Sequence, residues 1–282
     1  MASLRRGARP SGTVVHRLLA RSASTTATKP LPCQRELFDL PDDICYLNAA
    51  YMGPTLKSSA AIWAAGAAAK STPWALSKES FYEDRQAIRR SFAALVGATA
   101  DDIAIQASSS YGAATAAANV AVDAGQNIVT LGGEHTSNRF IWQQLADEQG
   151  LELRVVAPPC PSQPAGAWSE AVLAQIDSAT AVTAVVPNYW LDGTMIDLAA
   201  VSERCHEVDS ALVVDGTQSV GKCRLESTYS YYSRSTYVCL AMQGFREFRI
   251  QITEFNLRDA KTMLWSSDCK PSPRFLCLSW QA

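Results

Sequence analysis

Five short apolar runs rich in valine, isoleucine and alanine punctuate the chain at 103–107, 127–131, 153–156, 181–187 and 211–215. Between them, at 112–123, 137–149, 169–177 and 197–208, the pattern is helical, and two more such stretches, 58–70 and 77–96, precede the first run. Short apolar runs bounded by turn residues predict buried strands, and the longer periodic stretches predict helices. The starts of the predicted strands recur every 24 to 30 residues, the length of a strand-helix unit. Strands that are apolar throughout, rather than alternating, predict a mostly parallel sheet covered by helices on both faces. Residues 158–166 predict a proline-rich surface loop, and no internal repeat is present.

The pattern has two ends. From Met1 to Arg35 there is no acidic residue, while Arg5, Arg6, Arg9, Arg17, Arg21, Lys29 and Arg35 are basic. Val14, Val15, Leu18 and Leu19 share one helical face beside Arg17 and Arg21. Residues 1–35 therefore predict a transit peptide or disordered basic segment, with a mitochondrial destination favoured over a plastid or the cytoplasm. Beyond Gly221 the strand-helix alternation stops; 222–282 holds four of the eight cysteines and a tyrosine-rich stretch at 229–237. The expected organisation is thus 1–35 targeting, 36–222 an α/β domain, and 223–282 a divergent tail without further strand-helix units.

Composition narrows the function classes. Hydrophobic residues make up 48% and charged residues 18% of the 282-residue chain, and the net charge is −2. Nothing in that balance points to nucleic acid. No apolar run approaches the length of a membrane span. The eight cysteines form no Cys-x-x-Cys pair, so no metal site is expected.

In an open parallel sheet, ligands sit at the carboxyl ends of the strands. After the first run comes Ser108-Ser109-Ser110-Tyr111-Gly112 at a helix start, where free N–H groups suit an anion; the same residues also serve as ordinary caps. After the second comes Gly132-Gly133-Glu134-His135-Thr136-Ser137-Asn138. After the fourth comes Asn188-Tyr189-Trp190, with a turn at Asp192-Gly193. After the fifth comes Asp215-Gly216-Thr217-Gln218-Ser219. A carboxylate at the end of a buried strand calls for a cation, unless Asp215 is simply a cap. No Gly-x-Gly-x-x-Gly or Gly-x-x-x-x-Gly-Lys motif supports a plain nucleotide-binding module.

These segments together resemble the class V aminotransferases and cysteine desulfurases. Asp215-Gly216-Thr217-Gln218-Ser219 is similar to their Asp-Gly-x-Gln-Ser motif. Glu134-His135-Thr136-Ser137-Asn138 with Trp142 resembles their Glu-His-x-x-Asn segment. Ser108–Gly112 lies where their phosphate-binding turn lies. Tyr46-Leu47-Asn48-Ala49-Ala50 with Gly53-Pro54 is similar to their opening segment. Trp190-x-Asp192-Gly193-Thr194, followed by Ile196-Asp197-Leu198, is closest to the isopenicillin N epimerase-like branch. The resemblance implies the large domain of the fold type I pyridoxal-phosphate-dependent transferases, here incomplete: α/β, with a mostly parallel sheet flanked by helices.

The resemblance also implies roles. The cofactor would be pyridoxal 5'-phosphate, with Asp215 on the pyridinium nitrogen, His135 stacked on the ring, Gln218 and Asn188 near the ring hydroxyl, and Ser109 and Ser110 at the phosphate. It implies a small amino-acid substrate and a homodimer, with no nucleic acid and no membrane. One element is missing. The window where the family's Schiff-base lysine would fall reads Val238-Cys239-Leu240-Ala241-Met242-Gln243-Gly244. Lys222, Lys261 and Lys270 are the lysines available beyond Asp215, and none has the family's context. The family's C-terminal domain, with its arginine for the substrate carboxylate, is also not found. The expectation is a relative that is inactive in this form, the alternative being a non-catalytic binder of the cofactor or of a partner.

Overall fold

The computed structural model describes residues 33–49, 51–160 and 166–220, together with the backbone of two later strands, Thr236–Ala241 and Arg274–Ser279. The transit-peptide segment lies outside the described residues apart from its last three. In chain order the helices are α1 (Lys57–Ala69), α2 (Ser80–Val96), α3 (Ser109–Ala117), α4 (Thr136–Gln149), α5 (Ala167–Gln175) and α6 (Leu198–Glu207). The strands are β1 (Ile103–Ile105), β2 (Asn127–Leu131), β3 (Glu152–Val156), β4 (Thr180–Val185), β5 (Ala211–Asp215), β6 (Thr236–Ala241) and β7 (Arg274–Ser279).

Every strand pairing is parallel, and the sheet runs β1-β7-β6-β5-β4-β2-β3. The two-residue period of a strand sends alternate side chains to opposite faces. Val129, Leu131, Val185, Leu212 and Val214 meet α2, α5 and α6 through Phe92, Val96, Trp168, Val172 and Val201. Ile128, Val182, Ala184 and Val213 face the other way, against Ala113, Ala116 and Ala117 of α3 and Trp142 and Ala146 of α4. The small residues of α3 let it pack against both α4 and the sheet. Each large side chain buried in these layers contributes about 1.5–3 kcal/mol.

The amino edge is held by a polar cluster. Arg154 Nη1 meets Asp177 Oδ2 at 2.6 Å and donates to the Gln175 carbonyl at 3.0 Å. Asp177 Oδ1 also accepts from Asn127 Nδ2 at 3.1 Å and from the Ala179 N–H at 2.9 Å. The starts of β2, β3 and β4 are thereby joined. Arg154, the Ala179 N–H and Asn127 together hold the Asp177 carboxyl down at about 2.

Residues 223–282, expected as a divergent tail without further strand-helix units, contribute two strands to the same sheet. β6 pairs with β5, placing Cys239 beside Asp215, and β7 lies between β6 and β1. β5 is therefore paired on both sides, and β1 joins the sheet through β7. The reason lies in α3, which runs across β5, β6 and β7. The helix over them belongs to an earlier part of the chain, so the rhythm by which the other strands are read does not announce them. The window expected to hold the lysine begins inside β6.

Candidate functional site

Parallel strands put all their carboxyl ends at one edge. At β2 the chain turns outward to β3, whereas at the neighbouring β4 it leads the other way, to β5. This divergence opens a crevice between the two strand ends, the usual ligand position in such sheets.

The walls of the crevice are tied to each other. Tyr189 donates its hydroxyl to the Gly132 carbonyl at 3.1 Å, and Trp190 Nε1 donates to the Gly133 carbonyl at 2.9 Å. Gly133 has φ +68°, and a Cβ there would run into the Tyr189 hydroxyl. The Tyr189 ring rests on Trp168, with centroids 5.0 Å apart. Only a glycine lets the turn after β2 approach the turn after β4 this closely.

Behind that turn, Glu134 points inward. Its Oε1 accepts the His135 backbone N–H at 2.7 Å, while Oε2 is buried without a partner. Burial pushes the carboxyl up to about 7; the His135 N–H opposes this, the Asp215 charge adds to it, and the Asn138 amide opposes it more weakly. The Asn138 oxygen accepts from Trp142 Nε1 at 3.3 Å. Asn138 Nδ2 influences Glu134 electrostatically, but their geometry falls short of a full hydrogen bond, and Nδ2 is also unpartnered. His135 caps α4, with Nδ1 2.9 Å from Ser137 Oγ. Its exposed ring stands edge-on to Trp190 at 6.1 Å.

Asp215 ends β5 with 9% of its surface exposed. Two residues beyond Val213, it shares the face of α3 and α4. Thr217 gives it two hydrogen bonds, both to Oδ1: the hydroxyl at 2.5 Å and the backbone N–H at 3.0 Å. Burial still pushes the carboxyl above its ordinary value, against these bonds and the His135 imidazole. Asn188 is half-buried, and its Oδ1 accepts from the buried Ser219 hydroxyl, linking the ends of β4 and β5. Gln218 is half-buried in the same turn.

Ser109 and Ser110 arrive from the far edge of the sheet. Ser108 caps α3 by accepting the Tyr111 N–H at 3.3 Å, and the helix start lies at the carboxyl edge because α3 directly follows parallel strand β1. Ser109 is 2% exposed and its Oγ has no partner; Ser110 is exposed. His135 and Asp215 are close enough to feel each other's charge. Asn188 and Gln218 join the Asp215 turn, and the two serines share its face of the sheet without a hydrogen bond to it among the described residues. Thr217 and Ser219 were legible only as motif positions, and Glu134 only as the residue before the histidine. Their partners come from tertiary contacts. Among the described residues no helix is long and apolar enough to cross a membrane, and no cluster of His, Cys, Asp or Glu suits a metal.

Residues 65–228 match the family model described as aminotransferase class-V. A cysteine desulfurase from Enterobacter sp. (strain 638) is 32% identical over 103 residues, 36% of this chain and 24% of that protein. One from Klebsiella pneumoniae (strain 342) is 34% identical over the same length, with the same coverage of each chain. The matched stretch thus spans about a quarter of the curated relatives' length. Among solved structures, a lysine-to-alanine mutant of C-DES with glycine covalently linked to its PLP cofactor superposes with a TM-score of 0.67 at 16% identity, covering 76% of this chain and 56% of that one. The apo cysteine desulfurase of Thermococcus onnurineus gives 0.60 at 16% identity, over 74% of this chain and 55% of that one. At such identity the likeness establishes the fold, which is that of these enzymes.

Proposed function

The chain belongs to the class V aminotransferase family, and from that premise we propose that it binds pyridoxal 5'-phosphate at the crevice between β2 and β4, in a cysteine desulfurase-like site whose natural substrate is a small amino acid. The observation that supports this best is Asp215, a carboxyl buried at the end of the central strand and driven toward its neutral form. A carboxyl so placed is satisfied by a cation, and a protonated ring nitrogen meets that need. The unpartnered Ser109 Oγ at the start of nine-residue α3 fits the second requirement, a donor beside free helix N–H groups for a phosphate. The residues present fit the cofactor.

Asp215 would hold the proton at the ring nitrogen, with Thr217 fixing its orientation. His135 would lie against the ring, with Asn188 and Gln218 beside the ring hydroxyl and Ser109 and Ser110 at the phosphate. When bound, the cofactor supplies an electron-withdrawing ring that stabilises negative charge on the substrate's α-carbon. The segment after β5 offers no lysine between Lys222 and Lys261. Without a positioned amine, the covalent attachment and proton transfer of the family are unsupported here. The reading is therefore a cofactor binder that does not turn over amino acids in this form. The basic, acid-free N-terminus further supports a mitochondrial destination, and the family supports a homodimer.

The test is equilibrium binding of pyridoxal 5'-phosphate to the full chain, followed by tryptophan fluorescence. Saturable binding is expected, weakened at least about tenfold by Asp215→Asn because a buried charge pair is broken. No turnover of cysteine or alanine is expected, and mass spectrometry after borohydride should find no cofactor fixed to the chain. Absence of binding at millimolar cofactor sinks the cofactor reading; turnover lost in Lys261→Ala sinks the inactivity.

A further inference from the structure

Trp142 is fully buried, and its indole N–H is a donor only. It holds the oxygen of Asn138 at 3.3 Å, so the amide must present its NH2 to the other side. On that side lies Glu134, whose Oε2 is buried and unpartnered, as is Asn138 Nδ2. Both groups are buried and unpartnered, and Asn138 is near enough to lower the Glu134 carboxyl, so the two form an incomplete link in a chain. The rest is made: Glu134 Oε1 accepts the His135 N–H at 2.7 Å, and His135 caps α4.

We propose that Glu134 is a positioning residue: a relay from Trp142 through Asn138 to the Glu134 carboxylate clamps the His135 backbone, and uptake of a proton by Glu134 loosens it. The chemistry is one of donors and acceptors. An ionised carboxylate accepts from both neighbours. A protonated one carries its hydrogen on Oε2, so the Asn138 NH2 and the His135 N–H face a neutral carboxyl, and both bonds lose the charge that strengthens them. Burial sets the carboxyl near 7, so the clamp works across neutral pH, tight above and looser below. The groups facing Glu134 are Asp215 from β5, Tyr189 from the turn after β4, and Asn138 and His135 from its own segment. The Asp215 charge favours protonation of Glu134, so a cation that settles on Asp215 would tighten the clamp. That consequence for a cofactor rests on the reading above; the clamp itself does not.

The experiment is carbon-13 NMR of the full chain with glutamate labelled at Cδ, titrated without cofactor. One resonance should titrate near pH 7, well above the ordinary glutamate range, and be absent in Glu134→Gln, which keeps the size and the acceptor for His135. The His135 amide proton should move with the same midpoint and stop following it in Glu134→Gln. Asn138→Ala should raise the midpoint by about 0.5–1 pH unit, because a donor to the charged form is lost. A Glu134 carbon that titrates with the surface glutamates, or a midpoint indifferent to Asn138→Ala in a chain that keeps its native circular dichroism, overturns the proposal. Failure to bind pyridoxal 5'-phosphate with this titration intact removes the cofactor reading and leaves the clamp standing.

Discussion

Gly133 is one residue on which the crevice depends. Its φ of +68° already favours glycine, and a side chain would strike the Tyr189 hydroxyl. That hydroxyl cannot swing aside without leaving the Gly132 carbonyl, in a buried setting where a lost hydrogen bond is felt. Gly150 provides the contrast, with φ +69° and nothing within 4 Å of where a Cβ would stand. Gly150→Ala should lose only the backbone preference, about 1–2 kcal/mol, in urea denaturation. Gly133→Ala should lose about 1–3 kcal/mol more; equal losses would mean that the Tyr189 contact is unimportant. The pair Gly132-Gly133 was visible in sequence as a flexible turn. That the second glycine faces a tyrosine 56 positions further on could not be read there, because no local pattern encodes that meeting.

At the scale of elements, the amino edge of the sheet hangs on Asp177, which joins β2, β3 and β4. Its folded carboxyl is held at about 2, below the ordinary value of about 3.9 in an unfolded chain. A depressed carboxyl stabilises the fold fully above the unfolded value, and that contribution fades as pH falls toward the folded one. The native chain should therefore lose denaturant resistance between about pH 4 and 2 more steeply than Asp177→Asn, with the difference narrowing toward pH 2. Parallel acid profiles for the two chains would remove Asp177 from this role. The helices were legible from their periods and caps: α4 was expected at 137–149 and runs Thr136–Gln149, and α2 was expected at 77–96 and runs Ser80–Val96. Strands β6 and β7 were not legible, since short apolar runs outside a strand-helix rhythm do not declare their partners.

For the whole molecule, the Arg-rich, acid-free start of the chain has the composition of an import signal. A fluorescent protein fused behind residues 1–40 should enter mitochondria, and a diffuse cytosolic signal would refute the proposed destination. The parallel sheet with helices on both faces followed from the sequence alone, because strands buried on both sides must be apolar throughout. The candidate residues Ser109, Ser110, His135, Asn188, Asp215 and Gln218 came from the resemblance of the segments just after the strands to the family's motifs, at the strand ends where ligand chemistry gathers in such a sheet. Tertiary structure decided the rest. It set the strand order that carries β1 across to β7, turned Asn188 toward Ser219, and buried Glu134 beside Asn138 and within the field of Asp215. Periodicity records which face of an element is buried, whereas strand order and the charge on a buried carboxyl depend on residues distant in the chain.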